Sequence, residues 1–281
     1  MLASPLFTQQ SPQFWAYVRL LSQELGYTDR QTKQVKTYSS PQMLEVLSAF
    51  SLSPSTLMDT PLGIGLESYF QYRANVLNTY VEPRLMKLDQ VTQLFADLKM
   101  TLAPRCPLPM NKQSGPKKTY AYFTGIINML IEANAGGLAC DYAPRQLTVI
   151  SQDRRLLHVM ARQVDGCFTS VINPVALWEV KEYYHTTSFG SRIADGVYET
   201  LLDGFELQQV YQQTGIKIQH VLMVDAYETW WEKGRSYLCR LIDALHMGYV
   251  DEILFGLEVT ERLPIIVPEW VHLAQTRSSP P

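Results

Sequence analysis

The sequence predicts an α/β protein with a helical lobe in front of it, and three observations carry that expectation. Over the first hundred or so residues apolar side chains recur at the three- and four-residue spacing of a helix. Between Pro104 and Lys118 stand Pro104, Pro107, Pro109, Gly115 and Pro116, a composition that neither a helix nor a central strand accommodates. Beyond that stretch short apolar runs alternate with helical ones, in the order helix, three strands, helix, strand, helix, strand, the pattern of a sheet covered by helices.

The elements follow in order. Ser11-Pro12 is a helix start, a capping hydroxyl with proline at the first helical position, and Phe14, Val18, Leu21 and Leu25 repeat at helical spacing before Gly26. Ser40-Pro41 repeats the device ahead of Met43, Leu44, Val46 and Leu47. Two more helices are expected over Leu66–Tyr80 and Arg84–Met100, divided by Pro83. After the proline-rich stretch a helix runs from Thr119 to Asn134 and stops at Gly136-Gly137. Three strands are expected over Gln146–Ser151, His158–Phe168 and Val175–Val180, with Asn173-Pro174 turning the chain before the third. A long helix covers Phe189–Gln213, Val221–Val224 reads as a strand buried on both faces, a helix runs from Glu228 to Met247, and Ile253–Phe255 is the last strand. The expected divisions are a helical lobe over 1–103, a linker over 104–118, a core over 119–270 and a flexible tail over 271–281.

Bulk properties narrow the functional class. The 281 residues are 46% hydrophobic and only 18% charged, enough to bury a large core and too apolar for a disordered chain. A net charge of −3 announces no general polyanion binder, although a single basic groove would suffice for one. Cys106, Cys140, Cys167 and Cys239 form no Cys-x-x-Cys pair, which argues against a zinc finger and for free buried thiols in a reducing compartment. With no signal peptide and no apolar run long enough to span a bilayer, a cytoplasmic protein without a membrane partner is expected.

One constellation carries chemistry. Asp165-Gly166 lies near the end of the second core strand, and Glu179-Val180-Lys181 ends the third. Alternate residues of a strand share a face, so Glu179 and Lys181 project together, and pairing through the Asn173-Pro174 turn brings Asp165 alongside. Two carboxylates and one ammonium at the rim of a sheet suit Mg²⁺, which takes one or two protein carboxylates and keeps several waters. A cation held there can activate water and offset charge developing on a phosphodiester.

Asp165 followed fourteen positions later by Glu179-x-Lys181 on the next strand resembles the signature of the PD-(D/E)XK nuclease superfamily. The order helix, three strands, helix, strand over 119–224 is similar to its restriction-endonuclease-like core. The resemblance implies Mg²⁺- or Mn²⁺-dependent cleavage of double-stranded DNA, with Asp165 and Glu179 binding metal and Lys181 assisting the attacking water. It also implies a glutamate from the first core helix, a position that Glu132 fills. The proline of the family name is absent, since Val164 precedes Asp165. A second tripeptide match, Asp97-Leu98-Lys99, falls on an expected helix with no strand-borne aspartate upstream. Size, the extra lobe and the lack of an ATP motif make a type II restriction endonuclease the nearest likeness, which implies a homodimer, phage defence and a cognate methyltransferase. A repair, recombination or toxin-like nuclease uses the same chemistry, and an inactive nucleic-acid-binding protein of the same fold is the reading from another class.

Cations distribute in small groups. Arg30, Lys33 and Lys36 lie between the first two helices, Lys112, Lys117 and Lys118 beside the proline-rich stretch, and His185 just beyond Lys181, all candidates for DNA contact. Gly190, Gly196 and Gly204 on the long helix read as close packing, and Asp195, Glu199 and Asp203 as a solvated face.

Overall fold

The computed structural model describes residues 1–29, 31–111, 119–185 and 190–278. Arg30, Lys112, Lys117, Lys118 and Phe189 lie outside the described residues. Eight α-helices and six strands are assigned among the described residues: α1 (Pro12–Leu25), α2 (Ser40–Ala49), α3 (Pro61–Asn75), α4 (Leu88–Leu102), α5 (Tyr122–Asn134), β1 (Val149–Gln152), β2 (Arg155–Val159), β3 (Gly166–Phe168), β4 (Ala176–Glu182), α6 (Ser191–Thr214), β5 (Gln219–Asp225), α7 (Arg235–His246), β6 (Glu252–Phe255) and α8 (Glu258–Ser278).

The central sheet is mixed, with order β3-β4-β5-β6. β3 and β4 are antiparallel, Gly166 opposite Trp178, whereas β5 and β6 run parallel to β4 and to each other. Parallel neighbours need crossovers, supplied by α6 between β4 and β5 and α7 between β5 and β6. Both faces are therefore covered. Trp178, Val221 and Met223 pack with α5 and α8 on one face, and Leu222 and Val224 pack with α6 and α7 on the other. The protein is α/β, a four-stranded mixed sheet flanked by helices.

The local chemistry of several elements is as the sequence reading has it. Ser11 Oγ caps α1 by accepting from Phe14 N, and Gly26 ends it at φ 77°. At α2 the start lies one residue earlier than expected: Ser40 is the first helical residue, and Ser39 is the cap, its N–H and Oγ both donating to Gln42 Oε1 at 3.0 Å. The helices of the N-terminal lobe close over Phe14, Trp15, Leu66, Tyr69 and Phe70. This lobe is anchored on α7 by a buried pair, Arg73 Nη1 to Asp243 Oδ2 at 3.0 Å, with Tyr69 Oη donating to the same carboxylate at 2.6 Å.

Other expectations are corrected. His158–Phe168 is not one strand: β2 pairs with β1 in a separate two-stranded sheet, and β3 begins only at Gly166. Between them, Ala161 N donates to the Glu206 carboxylate and Asp165 N to Glu179, so backbone donors are satisfied by side chains, not by a neighbouring strand. The helix α4 packs with the core: Val91 and Phe95 join the cluster of α5, α8 and the sheet. The proline-rich stretch, where described, lies against α5, with Asn128 Nδ2 donating to Pro107 O and Ala121 N to Pro109 O. Residues 271–278 are not a flexible tail but the end of α8, which continues through Pro264 and Pro268. The expected helix over Glu228–Met247 is a π-helical turn to Lys233 followed by α7, broken at Gly234, whose added Cβ would lie 2.8 Å from Thr229 O.

Candidate active site

One glycine and two tryptophans set the approach of Asp165 to β4. An added Cβ on Gly166 would lie 2.1 Å from the Trp178 indole, so only glycine lets β3 lie this close to β4 at that point. Trp178 stacks on Trp270 of α8 at 5.8 Å, fixing the ring that fills the space. Asp165, one residue before β3, is thereby laid along the edge of β4. Its Oδ2 accepts from Val180 N at 2.8 Å while its own N–H donates to Glu179 Oε1 at 3.2 Å.

The face of β4 that carries Glu179 and Lys181 turns toward α6, and the site is a layer of charges between sheet and helix. Lys181 Nζ lies 2.8 Å from Glu179 Oε2 and 2.6 Å from Glu199 Oε2. Arg162 enters from the segment before β3 and grips Glu179 with both terminal nitrogens, at 2.9 and 3.1 Å, reaching Asp203 Oδ2 at 2.6 Å. Gly196 makes room for Lys181: its added Cβ would stand 3.3 Å from Lys181 Cδ.

Sequence reasoning places Glu179 at a charge-dense rim. In the structure Glu179 and Asp203 are fully buried and Lys181 nearly so, whereas Asp165 is exposed at the edge. The electrostatics follow from that burial. Burial alone would raise the pKa of Glu179, but Lys181 and Arg162 outweigh it and hold the carboxyl below its ordinary value. Burial, and then repulsion from Glu179, push Asp203 up to about 7, and the same two effects push Asp165 upward although the residue stays exposed at the edge, its carboxyl lying against Val180 N and the charged layer. Burial works against the charge on Lys181, yet Glu179 and Asp165 raise its pKa, so it is held as an ammonium. Four carboxylates face two cations, and Asp203 Oδ1 is buried with no hydrogen-bond partner among the described residues.

That surplus of negative charge in an oxygen-only donor set fits a hard divalent cation. Among the described residues no three His, Cys, Asp or Glu side chains form a ready-made metal cage. Magnesium does not require one, since one or two carboxylates and retained waters complete its shell. Asp165 and Glu179 are the two that adjoin, and the Asp165 end opens into a cleft of about 580 Å³. Arg145, Gln163, Tyr142 and Glu182 also line it, Glu182 accepting from Thr124 N and Oγ1 at 2.9 Å at the start of α5. A larger cleft of about 1010 Å³ lies at the opposite ends of β4 and β5, around Asn173, Lys217 and Arg277, away from these charges.

The structure brings Asp165, Glu179 and Lys181 together. It does not bring Glu132 to them: that carboxylate accepts from Arg105 N at 2.9 Å, on the last turns of α5. His185 follows β4 in a turn, half-buried, with Nε2 unpartnered among the described residues. Lys33 pairs with Glu232 at 3.1 Å and Lys36 donates to Leu25 O at 3.0 Å, so two of the three cations expected to contact DNA from the lobe have partners within the chain, the third, Arg30, lying outside the described residues. Asp97 lies on α4, where it accepts from Gln93 one turn earlier. Arg162, Glu199 and Asp203 belong to the site although sequence reasoning omits the first and reads the others as solvated. The four-residue spacing of Glu199 and Asp203 around the glycines of α6 was the available signal. Of that series only Asp195 is exposed.

Residues 86–270 match a family model described as a domain of unknown function, DUF7687, and residues 1–80 match another described in the same way, DUF7690. No curated protein and no solved structure matches the chain. The interval between the two matches falls just before Met86, whose side chain is already part of the core around the sheet. Among the described residues no helix is long and apolar enough to cross a membrane.

Proposed function

The chain belongs to the DUF7687 family, and we propose that it is a metal-dependent nuclease of the restriction-endonuclease-like kind, hydrolysing phosphodiester bonds of double-stranded DNA. The observation that carries this reading is the juxtaposition of Asp165 and Glu179 on adjoining chain segments, locked by reciprocal hydrogen bonds, with the Lys181 ammonium 2.8 Å from Glu179. Two carboxylates and one lysine, Asp165 open to the cleft with Glu179 and Lys181 buried behind it, suit phosphodiester hydrolysis assisted by Mg²⁺ or Mn²⁺. The bound cation supplies Lewis acidity to the phosphate and acidity to a water.

The chain's own residues do the remaining work. Asp165 faces the cleft, and Glu179 fixes its backbone. Lys181, kept charged by Glu179 and Asp165 despite its burial, holds a positive charge where negative charge develops on the attacked phosphate. Arg162, itself held by Asp203, orients Glu179 from behind. The antiparallel β3-β4 pair followed by the α6 crossover to parallel β5 agrees with the end of that nuclease core, whereas β1 and β2 stand in a separate sheet.

The test is incubation of the full chain with phage and plasmid DNA in Mg²⁺ or in chelator. Discrete fragments in Mg²⁺ alone identify a restriction enzyme, in keeping with a phage-defence role, and a smear identifies a nuclease of low sequence specificity. DNA left intact in Mg²⁺ and in Mn²⁺ overturns the proposal and leaves a binding protein.

A further inference from the structure

Away from the charged layer, the structure leaves one strand edge and one helix face without partners among the described residues. β2 pairs with β1 on one side only, and β1 is itself continued on its far side by Val149 and Ile172, which makes β2 the outer edge. That edge is apolar on both faces: Leu156 is 65% exposed, and Leu157 and Val159 each 38%. Natural proteins usually blunt such an edge with charge, proline or a covering element, because its unpaired N–H and C=O groups template further pairing.

The edge is continuous with the outer face of α6. His158 Nε2 lies 3.5 Å from Glu206, and Glu206 also accepts from Ala161 N, so the hairpin is fastened directly beside this helix. On the same side Tyr198, Leu202 and Phe205 recur at helical spacing and stand 58%, 42% and 49% exposed. Two aromatic and four aliphatic side chains, each about half exposed, amount to roughly 400–500 Å² of apolar surface, the aromatics alone offering ~150–250 Å² each when fully exposed. With a polar rim this approaches the ~800 Å² per partner of a stable interface, and it falls within the ~300–600 Å² of the largest apolar patch on a typical monomer, a patch that is often functional. Arg154 and Arg155 flank it at the hairpin and Asp195 on α6, charges of opposite sign that a twofold axis can pair.

We propose that the β2 edge and the Tyr198–Leu202–Phe205 face of α6 form the surface on which a second copy of this chain docks, β2 pairing antiparallel with its symmetry mate. An antiparallel pairing of identical strands is isologous and closes as a dimer without leaving an edge for a third copy. The occupant is self-complementary because the surface offers what it needs: one strand edge, one apolar stripe and charges of both signs. Since α6 carries Glu199 and Asp203 on its inner face, docking on its outer face would also stiffen the wall of the charged layer.

The experiment is the mass of the full chain in solution by light scattering at tens of micromolar, for the wild type, Leu156→Lys and Phe205→Glu, with Met100→Glu as a control on an exposed apolar residue elsewhere. The wild type and the control are expected at twice 32.1 kDa, and the two patch variants as folded monomers with at least a hundredfold weaker association. A second readout does not depend on weakening the dimer. Single cysteines placed in turn at 155–159 should give a disulfide-linked dimer under mild oxidation at one position or more. A monomeric wild type, a dimer untouched by both patch variants, or a scan in which no position cross-links above the wild-type background overturns the assignment.

Discussion

Arg162 holds Glu179 in a two-pronged grip, 2.9 Å and 3.1 Å, and binds Asp203 at 2.6 Å, so a residue three positions before Asp165 ties the strand-borne carboxylate to helix α6. Removing the guanidinium strands two buried carboxylates. Breaking a fully buried ion pair costs about 3–5 kcal/mol, and because 22% of the Arg162 side chain remains exposed the expected loss for Arg162→Ala is about 2–3 kcal/mol. Urea unfolding measures it. A loss under about 0.5 kcal/mol, the size of an ordinary surface change, would show that Arg162 is not the counter-charge of this layer.

The raised pKa values make metal-free stability fall as pH rises. Asp165 and Asp203 are pushed from 3.8 up to about 7, so between these values the folded chain binds more protons than the unfolded one. Stability contributed by the protonated acids is present at the lower end of that window and lost through its upper end. Buried Asp225, pushed up to about 8, acts in the same sense, so the contribution of Asp165 is isolated by difference. In chelator, Asp165→Asn should raise the melting temperature at pH 8 and leave it nearly unchanged at pH 5, retaining an oxygen to accept from Val180 N. Melting curves that shift equally at both pH values would contradict the assignment of the shift to Asp165.

Two glycines of α6 should respond with opposite signs. At Gly204 an added Cβ would lie 2.1 Å from Tyr249 O, so Gly204→Ala must move backbone and should cost about 1–3 kcal/mol. At Gly196 the nearest atom is Lys181 Cδ at 3.3 Å, which can give way, while the helix gains up to about 1 kcal/mol of propensity. Gly196→Ala should therefore be as stable as the wild type or more so, yet displace Lys181 and slow cleavage by about tenfold, a fraction of the ~10²-fold that a 1 Å misplacement costs. Full activity in that variant would show that the position of Lys181 beneath α6 is not critical.

Much of this arrangement was legible locally. Signals such as the Ser11-Pro12 cap, Ser40-Pro41 at the start of α2, the Asn173-Pro174 turn and the apolar run at Val221–Val224 act over a few residues, and the elements they predict occupy those places, α2 with its cap shifted by one to Ser39. What was not legible depends on contacts distant in sequence. Nothing near Arg162 announces that it meets Asp203, because their approach is set by how α6 crosses the sheet. Glu199 and Asp203 read as solvated because acidic residues four apart normally are, and only the glycines of α6 hint that the helix lies close to charges. The strand expected through 160–165 was lost to side-chain acceptors, Glu206 and Glu179, that periodicity does not reveal. Helix α8 was hidden by Pro264 and Pro268, prolines that argue against a helix locally but are carried by packing around Leu263, Val267 and Trp270.

The central claim is that Asp165, Glu179 and Lys181 constitute a metal-dependent phosphodiesterase site, and the most direct measurement is the rate of plasmid cleavage in Mg²⁺ by wild type and Asp165→Asn purified identically. The wild type should cleave only where chelator is absent, and the variant at a rate at least ~10²-fold lower, the scale on which removal of one charge-stabilising group acts. Its melting temperature should be equal or higher. Cleavage at equal rates by both proteins, or by neither, would contradict the claim.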